Sequence, residues 1–184
     1  MDSTPNQTGT TVSIGAAAFQ ALRQALHRNI GDDAAAVLQE AGYATGNDLY
    51  DSFTSWLPEH AGLNDPAKLD AEHLGEVLSS FLGTLGWGAF KMERLGQAGV
   101  LLTSSNWIEA DPAAGSAHPS CNFSAGMLAA FLSRMADGTI AVLEVACRSQ
   151  NIDRCVFLVG SQESLQTVHN GMMAGREYSD ILTS

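Results

Sequence analysis

Apolar positions recur at spacings of three or four through the first 85 residues and then give way to short β-branched and aromatic runs. Phe19, Leu22, Leu26 and Ile30 predict an amphipathic helix from Ser13 to about Ile30, stopped by Gly31. A second helical stretch begins at Asp32 or Asp33 with Val37 and Leu38. It continues, interrupted by Gly42 and Gly46, through Leu49, Phe53 and Trp56 to Pro58. Residues 59–70 are polar, contain Pro66 and read as a mobile connection of the kind that serves as a lid. Asp70 is placed to cap the next helix, whose stripe is Leu74, Val77, Leu78, Phe81 and Leu82, and Gly86-Trp87-Gly88 ends it.

Beyond that point the pattern predicts two hairpins. Ala89 to Leu95 and Val100 to Ile108 form the first, with Gly96 to Gly99 between them. The run from Thr139 to Cys147 and the run from Arg154 to Val159 form the second, joined by a turn-like Ser-Gln-Asn-Ile-Asp. A loop over residues 109–120 and a helix starting near Cys121 separate the hairpins, and Glu163 to Leu182 reads as one or two final helices, with Gly171 and Gly175 as breaks. Hairpins separated by a helix imply an α+β fold, a four-stranded antiparallel sheet with helices packed on it. Residues 1–12 are expected to be a disordered tail and 13–184 a single domain.

Composition narrows the partners. Twenty acidic against nine basic residues give a net charge of -11, which repels phosphate backbones and anionic lipid surfaces, so neither nucleic acid nor a membrane is an expected partner. A chain of 184 residues can bury most of its apolar surface without disulfides. The start has no basic segment leading into an apolar run, and no 18-residue apolar stretch follows. The expected location is cytoplasmic, where three cysteines stay reduced.

Those cysteines carry the main chemical signal. With Glu144 they form the spacing Cys121-x22-Glu144-x2-Cys147-x7-Cys155. Thiolates and a carboxylate suit zinc in a tetrahedral site. Cys147 and Cys155 fall at the two sides of the hairpin end, and Cys121 falls near a helix N-terminus, where the dipole favours a thiolate. Glu144 and Cys147 point to opposite faces of a regular strand, so they can share an ion only if the strand bends or ends between them. His118 is the rival fourth ligand, and three buried thiols serving as small hydrophobes is the plainer alternative.

The stretch from Cys121 to Gly160, with Gly126 in the helix, Glu144-Val-Ala-Cys147 ending a strand and Arg154-Cys-Val-Phe entering the next, resembles the 4-vinyl reductase domain. That family includes sensor domains of phenol- and toluene-responsive transcription activators and a bacteriochlorophyll-associated protein, with TRAPP subunits as distant relatives. The resemblance implies a zinc site at Cys121, Glu144, Cys147 and Cys155, favouring Glu144 over His118. It also implies an antiparallel α+β fold, dimer contacts through the first helices, and a cavity for a hydrophobic or aromatic small molecule. A His and a Trp hold the phenol hydroxyl in the sensors, and His73 and Trp107 lie in comparable regions. With Phe90 and Val142 they make up the expected ligand-contacting set. The aromatics and methionines that would line such a cavity fit a solid core equally well.

No nucleophile elbow, phosphate loop, dinucleotide-binding glycine pattern or His-Glu-x2-His is present, which weighs against an enzyme. The reading is therefore a zinc-stabilised binding module, acting as sensor or carrier and forming a homodimer. A zinc held by four protein ligands is structural, since no position is left for water. A role in tetrapyrrole 4-vinyl reduction, as enzyme or accessory, is the alternative, and a TRAPP-like scaffold is a further one.

Overall fold

The computed structural model describes residues 12–95 and 99–182. Residues 1–11 of the expected tail and residues 96–98 of the first hairpin turn lie outside the described residues. Three helices come first, α1 (Ala16–Ile30), α2 (Asp33–Ala44) and α3 (Gly46–Ala61). Next, α4 (Leu74–Thr84) leads into the hairpin of β1 (Lys91–Arg94) and β2 (Val100–Ser104). The helix α5 (Asn122–Ala136) leads into the hairpin of β3 (Ala141–Ala146) and β4 (Cys155–Gly160), followed by α6 (Gln162–Met173) and α7 (Tyr178–Leu182). The strands form one sheet in the order β1-β2-β4-β3, antiparallel at every pairing. This is the four-stranded antiparallel sheet with packed helices that the pattern predicts.

Alternation along the strands gives the sheet two apolar faces. One carries Leu102, Phe157, Val159 and Val142, which join the main core with residues of α3, α4 and α5. The other carries Val156 and Leu158, packed against Leu165 and Val168 of α6. Phe53, Phe81 and Phe131 tie α3, α4 and α5 together, their ring centroids 5.1, 5.6 and 6.3 Å apart. Each is 1% exposed or less, and burying a side chain of this size contributes about 1.5–3 kcal/mol.

The helices α2 and α5 cross with their backbones in contact. A Cβ on Gly42 would stand 2.0 Å from the carbonyl oxygen of Phe123, and one on Gly126 would stand 2.0 Å from that of Gln39. Only glycine permits this approach, and it sets where the start of α5 lies over the sheet.

Several expectations shift. The second helical stretch breaks at Thr45, whose hydroxyl and N–H both donate to the Gly42 carbonyl. Its continuation does not stop at Pro58: α3 runs to Ala61, where Gly62 takes a φ of 68°. The first hairpin is shorter than predicted, because Asn106 Oδ1 accepts from the Ala89 N–H at 3.0 Å and the Trp87 carbonyl accepts from the Ile108 N–H at 2.9 Å. Side chain and loop thus replace the ladder beyond Ser104. Gly171 lies within α6, where a Cβ would meet Ile181 at 2.5 Å, and the break falls at Gly175, with φ 81°. On α1 the stripe does not simply face the core: Phe19 is buried, while Leu22 is 53% and Ile30 40% exposed.

Candidate metal centre

Cys121 is the residue before the first turn of α5, Cys147 follows β3, and Cys155 opens β4 opposite Ser104 of β2. All three are fully buried. The Cys121 sulfur lies 3.7 Å from that of Cys147 and 4.0 Å from that of Cys155. These separations match the edge of a tetrahedron of thiolates around one zinc, about 3.8 Å for Zn–S bonds of about 2.3 Å. Glu144 completes the group, and one donor atom from each of the four residues lies within 4.8 Å of the others. His118 is exposed and stands outside the group.

The obstacle of strand alternation is removed by a bulge. Glu144 pairs with Phe157, but Ala146 pairs with Val156, so Val145 is an extra residue on β3. Val145 and Ala146 both join the cluster beneath α6. The phase then resumes with Glu144 and Cys147 on the same side, which is what an added residue in one strand does. The turn after Cys147 is a 3-10 turn over Arg148–Gln150, in which the Ser149 N–H donates to the Cys147 sulfur at 3.4 Å.

The carboxylate of Glu144 divides its two oxygens. Oε2 accepts the N–H of Cys121 at 2.7 Å, while Oε1 is buried and has no hydrogen-bond partner. A buried carboxylate oxygen left bare beside three thiols is the donor a cation would use. The residues therefore fit a divalent ion with a preference for sulfur. Four acidic groups this close cannot all shed protons in its absence. Burial raises the Glu144 pKa well above its ordinary value, with the Cys147 charge adding to it. Burial likewise pushes the Cys121 thiol up. Cys155 is pulled down by its bond with Cys121, but Cys147 and burial outweigh that and leave it raised. Cys147 alone is lowered, through bonds from Cys121 and Cys155.

A second buried carboxylate sits at the same helix end. Glu109 accepts from the N–H groups of Phe123 (3.0 Å) and Ser124 (2.7 Å) and from the Ser124 hydroxyl, satisfying amides that a helix start leaves open. Arg23 of α1 places Nε 3.2 Å from Glu109 Oε1 and donates to the Glu109 and Ser120 carbonyls at 2.5 and 2.7 Å. Burial raises the Glu109 pKa, against the pull of Arg23, Ser124 and Phe123. Ser149, also buried, accepts from the Asp111 N–H and the Ser120 hydroxyl, each at 2.9 Å, stitching the loop before Cys121 to the hairpin turn. Glu109, Arg23, Ser120 and Ser149 were not singled out by spacing. The one available signal was a glutamate, Glu109, in the otherwise apolar run Trp107-Ile108-Glu109-Ala110.

Residues 105–161 match the family model of the 4-vinyl reductase domain. The matched segment contains all four clustered residues, with Glu109 and Ser149, and excludes α1 to α4. No curated protein matches the chain significantly. Among solved structures, the phenol-responsive sensory domain of the transcription activator PoxR, with phenol, is similar, with a TM-score of 0.58 and 15% identity. The likeness covers 83% of this chain and 77% of that one. A vinyl-4-reductase family protein from Methanocaldococcus jannaschii gives a TM-score of 0.53 and 21% identity over 81% of this chain and 82% of that one. These likenesses show the fold, and they extend it well beyond the matched segment.

The expected ligand-contacting residues do not gather round one cavity. His73 is exposed just before α4. Trp107 is 1% exposed, spends its indole N–H on Ser124 Oγ at 2.7 Å and packs against Trp87 and Phe157. Its polar handle is therefore already taken, and Phe90 and Val142 are core residues. A cleft of about 410 Å³ lies elsewhere on the same sheet face, among Leu74, Met92, Leu102, Leu132, Met135 and Val159, and is almost wholly apolar. It touches the expected set only through neighbours: Leu74 follows His73, and Val159 pairs with Val142.

Proposed function

We propose that residues 13–184 form a zinc-stabilised module that binds a hydrophobic or aromatic small molecule, as sensor or carrier. Cys121, Glu144, Cys147 and Cys155 would hold the ion, and the bare Oε1 of Glu144 beside three thiols is the observation that carries this reading. The ion would supply a structural crosslink between the start of α5 and the β3–β4 hairpin end, with no ligand position left for chemistry. The apolar cleft is the place for the guest, and its volume falls in the range of small-molecule sites, about 300–1,000 Å³. A domain of the same fold is described as phenol-responsive, which supports a sensor role. The exposed Leu22 and Ile30 on α1, with Val37 on α2, support pairing with a second copy. No helix among the described residues is long and apolar enough to cross a membrane, which is compatible with a cytoplasmic site of action.

Elemental analysis of protein purified under reducing conditions tests the metal. About one zinc per chain is expected, and Cys147→Ser or Cys155→Ser should lose metal and thermal stability together, because binding and local folding are coupled. A wild-type protein devoid of metal, or a serine variant retaining both, removes the zinc reading.

A further inference from the structure

The apolar cleft has one charged lining residue, Arg94 of β1. Arg94 stands two residues from Met92 and so shares its sheet face. Its aliphatic stem can follow the apolar lining while the guanidinium stays in water, as exposed arginines do. Among the described residues Arg94 has no ion pair and no hydrogen bond. That is notable in a chain of net charge -11, where carboxylates are plentiful. An adjoining depression presents Glu72, Glu76 and Glu93 next to Arg94, yet none comes within ion-pairing distance of it. An arginine left without a partner beside a greasy cleft is placed to receive an anion carried by the guest. The flanking carboxylates discriminate by charge, since a second negative charge on the guest would be repelled.

Resting on the small-molecule reading above, we infer that the cleft takes an amphipathic monoanion, a carboxylate with one alkyl or aryl body. The carboxylate meets Arg94, and the body lies against Leu74, Met92, Leu102, Leu132 and Met135.

Calorimetric titration of the as-purified full chain with decanoate, decan-1-ol and decyl phosphate tests this, in wild type, Arg94→Gln and Arg94→Lys. Decanoate should bind roughly tenfold tighter than the alcohol, as expected of one charge-assisted contact at an exposed site. Arg94→Gln should erase that difference without weakening the alcohol, Arg94→Lys should keep most of it, and decyl phosphate should bind no tighter than decanoate. Equal affinity for acid and alcohol in wild type, or equal weakening of both by Arg94→Gln, overturns the anion preference while leaving the cleft a binding site. Tighter decyl phosphate overturns the monoanion restriction. If none of the three probes binds, the small-molecule reading of the cleft falls with it.

Discussion

The N–H of Cys121 donates to Oε2 of Glu144 at 2.7 Å, so one carboxylate both closes the start of α5 and delivers its second oxygen to the thiol cluster. Capping and metal ligation are thereby joined in a single side chain 23 residues away from the helix it caps. The two roles can be separated by substitution.

Glu144→Gln keeps an oxygen able to accept from Cys121 and removes the charge. The variant should fold, and its zinc affinity, measured by chelator competition, should fall by more than about tenfold. Affinity equal to wild type would mean that Glu144 is a cap and nothing more.

The protonation of the cluster gives opposite pH responses with and without metal. In metal-free protein the Glu144 pKa is raised from 4.5, so the folded state holds that proton more tightly than the unfolded chain. Its stabilising contribution is complete below pH 4.5 and is lost as pH rises through the folded value. Urea midpoints in the presence of chelator should therefore favour wild type over Glu144→Gln less as pH rises from 4.5. Zinc affinity should move the other way, increasing from pH 5 to 8, because protons compete for Glu144, Cys121 and Cys155.

Arg23 and Glu109 form a buried pair joining α1 to the first turn of α5. Arg23→Met leaves the Glu109 carboxylate buried without its cation and should cost about 3–5 kcal/mol in chemical denaturation. Limited proteolysis should then cut α1 first. A loss below about 1 kcal/mol would show that the amides of Phe123 and Ser124 suffice for Glu109.

Two glycines in helices should respond oppositely to alanine. Gly126→Ala drives a methyl into the Gln39 carbonyl and should cost more than the about 1–3 kcal/mol typical of overpacking. Gly83→Ala, exposed in α4 with nothing nearer than 3.9 Å, should gain about 0.5–1 kcal/mol through helix propensity. Thermal melts of the two variants compare them directly.

Light scattering coupled to gel filtration should report a dimer, and Leu22→Glu with Ile30→Glu should reduce it to monomer, since both side chains are exposed on α1. A monomeric wild type would leave that apolar stripe without the role proposed for it.

Much was legible in the order of residues alone. Alternating runs define strands, three- and four-residue recurrences define helices, and together they determined the antiparallel α+β architecture. Hairpin pairing determined that Cys147 and Cys155 come near each other, because residues flanking one turn are neighbours whatever else the chain does. Tertiary structure decided the rest. Only the bulge at Val145 brings Glu144 to the side of Cys147, and a bulge has no sequence period. Only packing pairs Arg23 with Glu109 across 86 residues. Packing also decided that Trp107, Phe90 and Val142 fill the core while open volume remains beside Arg94. Periodicity states which face of an element is apolar. Whether that face meets another side chain or a void depends on where distant elements come to rest, and at α5 that is set by the contact of two glycine backbones.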